Sequence, residues 1–180
     1  MRYAPGMTRK SSFPPVVAPD TRVLILGSLP GERSLAEGRY YAHPRNLFWR
    51  LVGGAIGRDL EALDYEARLE ALLAARIGLW DTVASATRHG SLDTAIREAE
   101  HNRLADLVAT LPDLHAVAFN GAASAKIGTA LLAGSELALL PLPSSSPAHA
   151  AMPFAKKRRL WAAIGEFLGS PLASRAAEPQ

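Results

Sequence analysis

With 180 residues, 48% of them hydrophobic, the chain can build one globular domain with a full core and is short for two. It contains no cysteine, which excludes disulfides, thiolate zinc sites and cysteine-held iron–sulfur clusters. A formal net charge of +3 favours a polyanionic partner without identifying one.

The opening MRYAPGMTRKSSFPPV has no apolar stretch of signal-peptide length, and no later run approaches a membrane span. A cytoplasmic protein with no membrane partner is expected. Residues 1–19 mix Pro, Ser, Arg and Lys without periodicity and read as a flexible arm, with 20–169 as the domain and 170–180 as a tail. Val23 to Ser28 is an apolar strand that empties into the turn residues Gly27, Ser28, Pro30 and Gly31. Asn46 to Ile56 has helical spacing. Asp64 is placed to cap a second helix from Tyr65 to Ala75. Ile77 to Trp80 is a second strand, followed by a polar stretch, Thr82 to His89. Ser91 or Asp93 then caps a short helix reaching Ala99, and another helix spans Asn102 to Thr110. His115 to Phe119, Ala122 to Leu132, Glu136 to Leu142 and Phe154 to Leu168 complete the pattern as strand, helix, strand and helix.

Strands alternating with helices predict a three-layer αβα fold with a central four-stranded parallel sheet, because parallel strands need crossovers that are commonly helical. Ligands in such sheets bind at the carboxyl ends of the strands. The loop Gly27 to Gly31, the pair Asp81-Thr82 and the loop Pro143 to Pro147 should therefore meet on one edge, with Asn120-Gly121 as a possible fourth contributor.

Several residues near that edge have two readings. The Gly27–Gly31 loop is either a plain strand-to-loop turn or an anion cradle, although it has neither the Walker nor the dinucleotide glycine spacing. Asn46 is either a helix cap or a functional amide. Tyr41 is either core or a stacking surface for a base, and His43 is a supporting residue. Asp81 either braces its loop or faces the pocket. Ser144, Ser145, Ser146, Pro147 and His149 form a connector or a phosphate-contacting loop. The run Lys156, Lys157, Arg158 and Arg159 is a solvated face or a backbone-binding cluster. Met152 and Phe154 are either core residues or apolar wedges. No His, Asp or Glu stands at metal-ligand spacing with His43.

GSLPG at 27–31 followed by YYAHPRNLFW at 40–49 resembles the first active-site motif of the uracil-DNA glycosylase superfamily, most closely its hypoxanthine (deoxyinosine) branch. SSSPAH at 144–149 resembles the second motif, and LWDT and GSLD add support. The resemblance runs from Phe13 to Gly169. It implies a monofunctional DNA glycosylase in base excision repair that flips hypoxanthine or uracil out of DNA and leaves an abasic site, without cofactor, acting as a monomer on double- or single-stranded DNA. By the same resemblance Asn46 orients the attacking water, and Gly27, Ser28, Tyr41 and Asp81 hold the base. Ser144, Ser145, Ser146, Pro147, His149, Lys156, Lys157 and Arg158 grip the backbone. Leu29 stands where several sister branches have an acid or Asn, so the water falls to Asn46. Ser144 stands where many uracil enzymes have a histidine. Alternatives are a mismatch-specific uracil enzyme, a nucleoside hydrolase and a non-catalytic DNA-binding relative.

Overall fold

The computed structural model describes residues 8–169. Its elements are β1 (Arg9–Ser11), β2 (Val23–Gly27), α1 (Glu32–Glu37), α2 (Phe48–Ile56), α3 (Tyr65–Ala74), β3 (Ile77–Asp81), β4 (Val83–Thr87), β5 (Arg97–His101), α4 (Leu104–Ala109), β6 (Ala116–Asn120), α5 (Ala122–Leu131), β7 (Ala138–Leu142) and α6 (Phe154–Trp161). Short 3₁₀ turns occupy Asp93–Ala95 and Ala162–Phe167.

Four strands form an all-parallel sheet in the order β3-β2-β6-β7. The central strand β2 is buried along its whole length, as a strand covered on both faces must be. Its alternate side chains serve different layers. Val23 and Ile25 join Phe48, Trp49 and Leu51 of α2, Leu72 of α3 and Trp161 of α6 on one face. Leu24 and Leu26 join Leu104 of α4 with Val117 and Phe119 of β6 on the other. This is the expected three-layer αβα arrangement around a four-stranded parallel sheet. Helix boundaries follow local chemistry: the Asp64 carboxylate accepts from the Ala67 N–H at 2.9 Å, satisfying a first-turn donor of α3.

A second sheet was not foreseen. β1, β4 and β5 form a three-stranded antiparallel sheet in the order β1-β4-β5. The stretch 91–99 is therefore a 3₁₀ turn leading into a strand, not a helix. All five residues of β5 are exposed and mostly charged, so no apolar alternation marks them, and only pairing with β4 makes them a strand. The six-residue α1 also went unread, being too short to show a periodic face.

The described part of the arm is not loose. β1 pairs with β4, Val16 exchanges backbone hydrogen bonds with Leu79, and the Trp80 indole donates to the Phe13 carbonyl at 2.9 Å. The predicted tail, 170–180, lies outside the described residues. The last helix ends as α-helix at Trp161 and tightens to 3₁₀ geometry beyond it.

Candidate active site

The carboxyl ends of β2, β3, β6 and β7 converge on a cleft of about 460 Å³, a size suited to a small organic ligand. Gly27, Ser28, Tyr41, Asn46 and Asp81 all line it. Ser144, Ser145, Ser146, Pro147 and His149 border it from the β7 side, and Asn120-Gly121 contributes the fourth strand end. Lys156, Lys157 and Arg158 do not line the cleft.

Its floor is set by a close approach. A Cβ on Gly27 would stand 2.7 Å from Asp81 Oδ1 and 3.1 Å from the Tyr41 hydroxyl, so only glycine lets both polar groups reach the end of β2. The hydroxyls and carboxylate gathered there are incompletely satisfied. Asp81 Oδ2 and the Tyr41 hydroxyl are both buried and have no hydrogen-bond partner among the described residues. Such atoms are expensive to leave unpaired and leave room in the cleft for a further polar partner. Burial pushes the Asp81 carboxyl up to about 7, the nearby Asp93 carboxylate adds to the shift, and Arg88 opposes it. Burial likewise raises the Tyr41 phenol, with Asp81 contributing, so it stays protonated.

Tyr41 is held in a costly conformation. Its φ of 52° lies in the left-handed region, unfavourable for a bulky residue by about 1–3 kcal/mol. Packing enforces it: the ring stacks on Phe48 at 3.8 Å between centroids and 12° between planes, and the Trp49 indole donates to the Tyr41 carbonyl at 3.2 Å. Phe48 is fully buried while Tyr41 is half-buried and borders the cleft, which leaves the tyrosine as the outer member of the stack.

Asn46 stands one residue before Leu47, the N-cap of α2. Its Oδ1 accepts from the Phe48 N–H at 3.0 Å, fixing the amide at the entrance to α2, and the residue also borders the cleft. One carbonyl oxygen has two lone pairs, so this bond leaves one for another donor. The turn that presents it is built by its neighbours: His43 Nδ1 accepts from the Arg45 N–H at 3.1 Å and the His43 carbonyl from the Asn46 N–H at 2.9 Å.

The serine loop is a folded bracket. Ser145 is fully buried, its N–H donating to Asn120 Oδ1 at 2.8 Å and its hydroxyl accepting from Asn120 Nδ2 at 2.9 Å. Its carbonyl accepts from the Leu47 N–H at 3.0 Å, joining the loop to the Asn46 turn. The Ser145 hydroxyl is therefore withdrawn from any backbone-contacting surface, contrary to expectation. The same correction applies to Lys157. It is 1% exposed, and its ammonium donates to the Ser144 carbonyl at 2.7 Å and the His149 carbonyl at 2.6 Å, bracing the loop from within. Its burial lowers its pKa. Ser144 and Ser146 each accept one loop N–H and keep their own O–H to donate. Lys156 and Arg158 stand exposed on α6.

Two contributors, Arg88 and Asn102, carry no site signal in the sequence, and a third, Asp93, is visible there only as a cap candidate within the GSLD segment. Arg88 is fully buried and donates to the carbonyls of Leu29, Pro30 and Gly90, holding the Gly27–Gly31 loop in shape. Asp93 accepts from the Ser28 hydroxyl at 2.5 Å. Asn102 donates to the Asp81 carbonyl at 2.8 Å, fixing the backbone that presents the buried carboxyl. All three lie in polar stretches where nothing separates a buried polar side chain from a solvated one. Leu29 is buried with Val83 and Ala86, a packing role.

An α/β domain whose strand ends close around a cleft with an aromatic wall and an unpaired polar floor is a protein that binds its ligand at the sheet edge. The chain belongs to the uracil DNA glycosylase superfamily, whose family model matches residues 14–165. Among its relatives, a hypoxanthine DNA glycosylase of Methanosarcina acetivorans is 41% identical over 156 residues, covering 86% of this chain and 97% of that protein. A hypoxanthine DNA glycosylase of Methanosarcina barkeri is 48% identical over 113 residues, 63% of this chain and 72% of that protein. The solution NMR structure of a candidate uracil DNA glycosylase from Methanosarcina acetivorans has a TM-score of 0.81 at 38% identity, covering 89% of this chain and 99% of that one.

Proposed function

We propose that this protein is a monofunctional DNA glycosylase that takes hypoxanthine out of the duplex stack and hydrolyses its N-glycosidic bond. The observation that carries this reading is the pair of unpartnered buried groups, Asp81 Oδ2 and the Tyr41 hydroxyl, at the bottom of a cleft walled by Tyr41 and Asn46. A lactam base such as hypoxanthine presents an N–H beside a carbonyl. A protonated Asp81 can accept from the first and donate to the second, and its raised pKa keeps that proton available near neutrality. The exposed face of Tyr41 stacks on the base, a contact worth about 1–3 kcal/mol.

Chemistry follows from this seating. The bond from the base nitrogen to sugar C1′ breaks, its electron pair leaving with the base, while the sugar becomes oxocarbenium-like. Backbone N–H groups near Gly27 and Ser28 favour the charge developing on the base. A water accepted by the free lone pair of Asn46 Oδ1 attacks C1′, gives its proton to solvent or to the departing base, and leaves an abasic site. Ser144, Ser146, Pro147 and His149, with the exposed Lys156 and Arg158, hold flanking phosphates.

The test is incubation with duplexes carrying deoxyinosine, deoxyuridine or deoxyxanthosine, followed by alkaline cleavage of abasic sites. Cleavage at deoxyinosine is expected. No product from any lesion at stoichiometric enzyme overturns the reading, and product from deoxyuridine alone replaces it with a uracil enzyme.

A further inference from the structure

Negative charge that develops on a departing base is best met by a fixed positive charge from which water is excluded. Among the described residues Arg33 is the one Lys or Arg that borders the cleft, but its side chain is 58% exposed and paired with Glu37, so solvent and a carboxylate both screen it. Lys157 is engaged by two carbonyls of the serine loop. Arg88 is differently placed. It is 0% exposed, and none of the ion pairs among the described residues includes it. Its guanidinium donates instead to main-chain carbonyls, those of Gly90 at 2.8 Å, Leu29 at 3.3 Å and Pro30. Leu29 and Pro30 both border the cleft, so the guanidinium stands behind its wall.

Burying a guanidinium with no carboxylate in contact costs more than burying a neutral amide that could donate to the same loop. Burial draws the Arg88 pKa down, the more distant carboxylates of Asp93, Glu32 and Asp81 oppose that shift, and an arginine stays charged throughout. Stapling a loop needs donors; it does not need a full charge. The peptide geometry points the same way. With the Pro30 carbonyl turned to the guanidinium, the N–H of Gly31 in the same planar trans peptide points away from it, on a residue that borders the cleft. A carbonyl bonded to a cation makes the N–H of its own peptide a stronger donor.

We infer that Arg88 is the electrostatic partner of the leaving base: its fixed charge, acting through the Leu29–Gly31 wall, lowers the energy of the anion formed as the glycosidic bond breaks. This rests on the glycosylase reading and supplies its leaving-group stabilisation. The electron pair of the bond goes to the base, Arg88 keeps its proton, and no bond to the guanidinium forms or breaks. Because it touches the loop and not the base, Arg88 is a positioning residue.

The experiment measures single-turnover excision by wild type, R88K and R88Q on two duplexes, one carrying deoxyinosine and one its analogue with nitrogen in place of C8, whose base leaves as a more stable anion. R88Q is expected to lose about thirtyfold or more on deoxyinosine and to lose at least about fivefold less on the analogue. R88K, which keeps the charge with fewer donors, should hold the wild-type ratio between the two duplexes to within about twofold. A misshapen loop alone would slow both substrates equally, so equal losses in R88Q, or an R88K ratio that follows R88Q, overturn the inference. Wild type supplies a measurement that needs no folded variant. At pH 6.5, where Asp81 keeps its proton, free 8-azahypoxanthine, an anion, should inhibit excision at least about tenfold better than neutral hypoxanthine; equal or weaker inhibition also overturns the inference. Failure of the underlying reading looks different: wild type itself then yields no abasic product from either duplex.

Discussion

Replacing Asp81 by Asn should stabilise the protein, and by an amount that depends on pH. The carboxyl is 3% exposed, one oxygen has no partner, and burial raises its pKa from an ordinary 3.8 to about 7. Below about pH 4 the carboxyl is protonated in folded and unfolded chains alike, and the substitution should matter little. Between about pH 4 and 7 the unfolded chain releases this proton while the folded one keeps it, so wild-type stability falls as pH rises and levels off above 7. Integrated over that window the difference is at most about 4 kcal/mol, and the Asn variant, having no proton to lose, escapes it. Urea denaturation of wild type and D81N at pH 4.5, 6 and 8 reads this directly. The D81N advantage should grow with each step in pH. An advantage that is constant, or that shrinks toward pH 8, refutes the placement of a proton on this buried carboxyl. Activity gives a second readout, because an amide keeps both a donor and an acceptor: the decline in excision rate expected for wild type above pH 7 should be absent in D81N.

Two further changes separate the parts of the cleft. Y41A removes the stacking face and should reduce excision roughly 5- to 150-fold in single-turnover assays, the scale of about 1–3 kcal/mol, whereas Y41F keeps the ring and should lose less; equal losses would mean that the hydroxyl, not the stack, matters. Among the basic residues of α6, K156A and R158A should each lower the slope of log affinity against log salt by about 1, as expected for a lost phosphate contact, while K157M should lower the melting temperature and leave the slope as it is. A slope change in K157M would return that ammonium to the DNA surface.

The parts of this molecule that were legible in the sequence are those where one physical signal dominates. β2 is legible because its residues are apolar on both faces, and Asp64 because a cap followed by an apolar helical face leaves little else for it to do. The cleft is legible because the turn residues after β2 and the density of polar and aromatic groups at 40–46 exceed what a strand-to-helix connection usually needs, even though Tyr40 and Tyr41 also pack against the core. What stayed hidden depends on long-range pairing or on burial of polar groups. β5 is a strand only because β4 lies beside it. Lys157 sits within a run of four basic residues yet points inward, since two unpaired loop carbonyls await it there. Ser144 and Ser145 are the same residue type side by side, and long-range bonds from the Asn120 side chain and the Leu47 N–H distinguish the buried one. Arg88 and Asp93 shape the Gly27–Gly31 loop from about sixty positions away along the chain.

The account stands on the Asn46 amide acting on water and not merely capping α2. Single-turnover excision of hypoxanthine from a deoxyinosine duplex should fall by at least about a hundredfold in N46A, while DNA affinity, measured by fluorescence anisotropy, and melting temperature stay close to those of wild type. An N46A protein that remains folded, binds the duplex and releases hypoxanthine at the wild-type rate would contradict it.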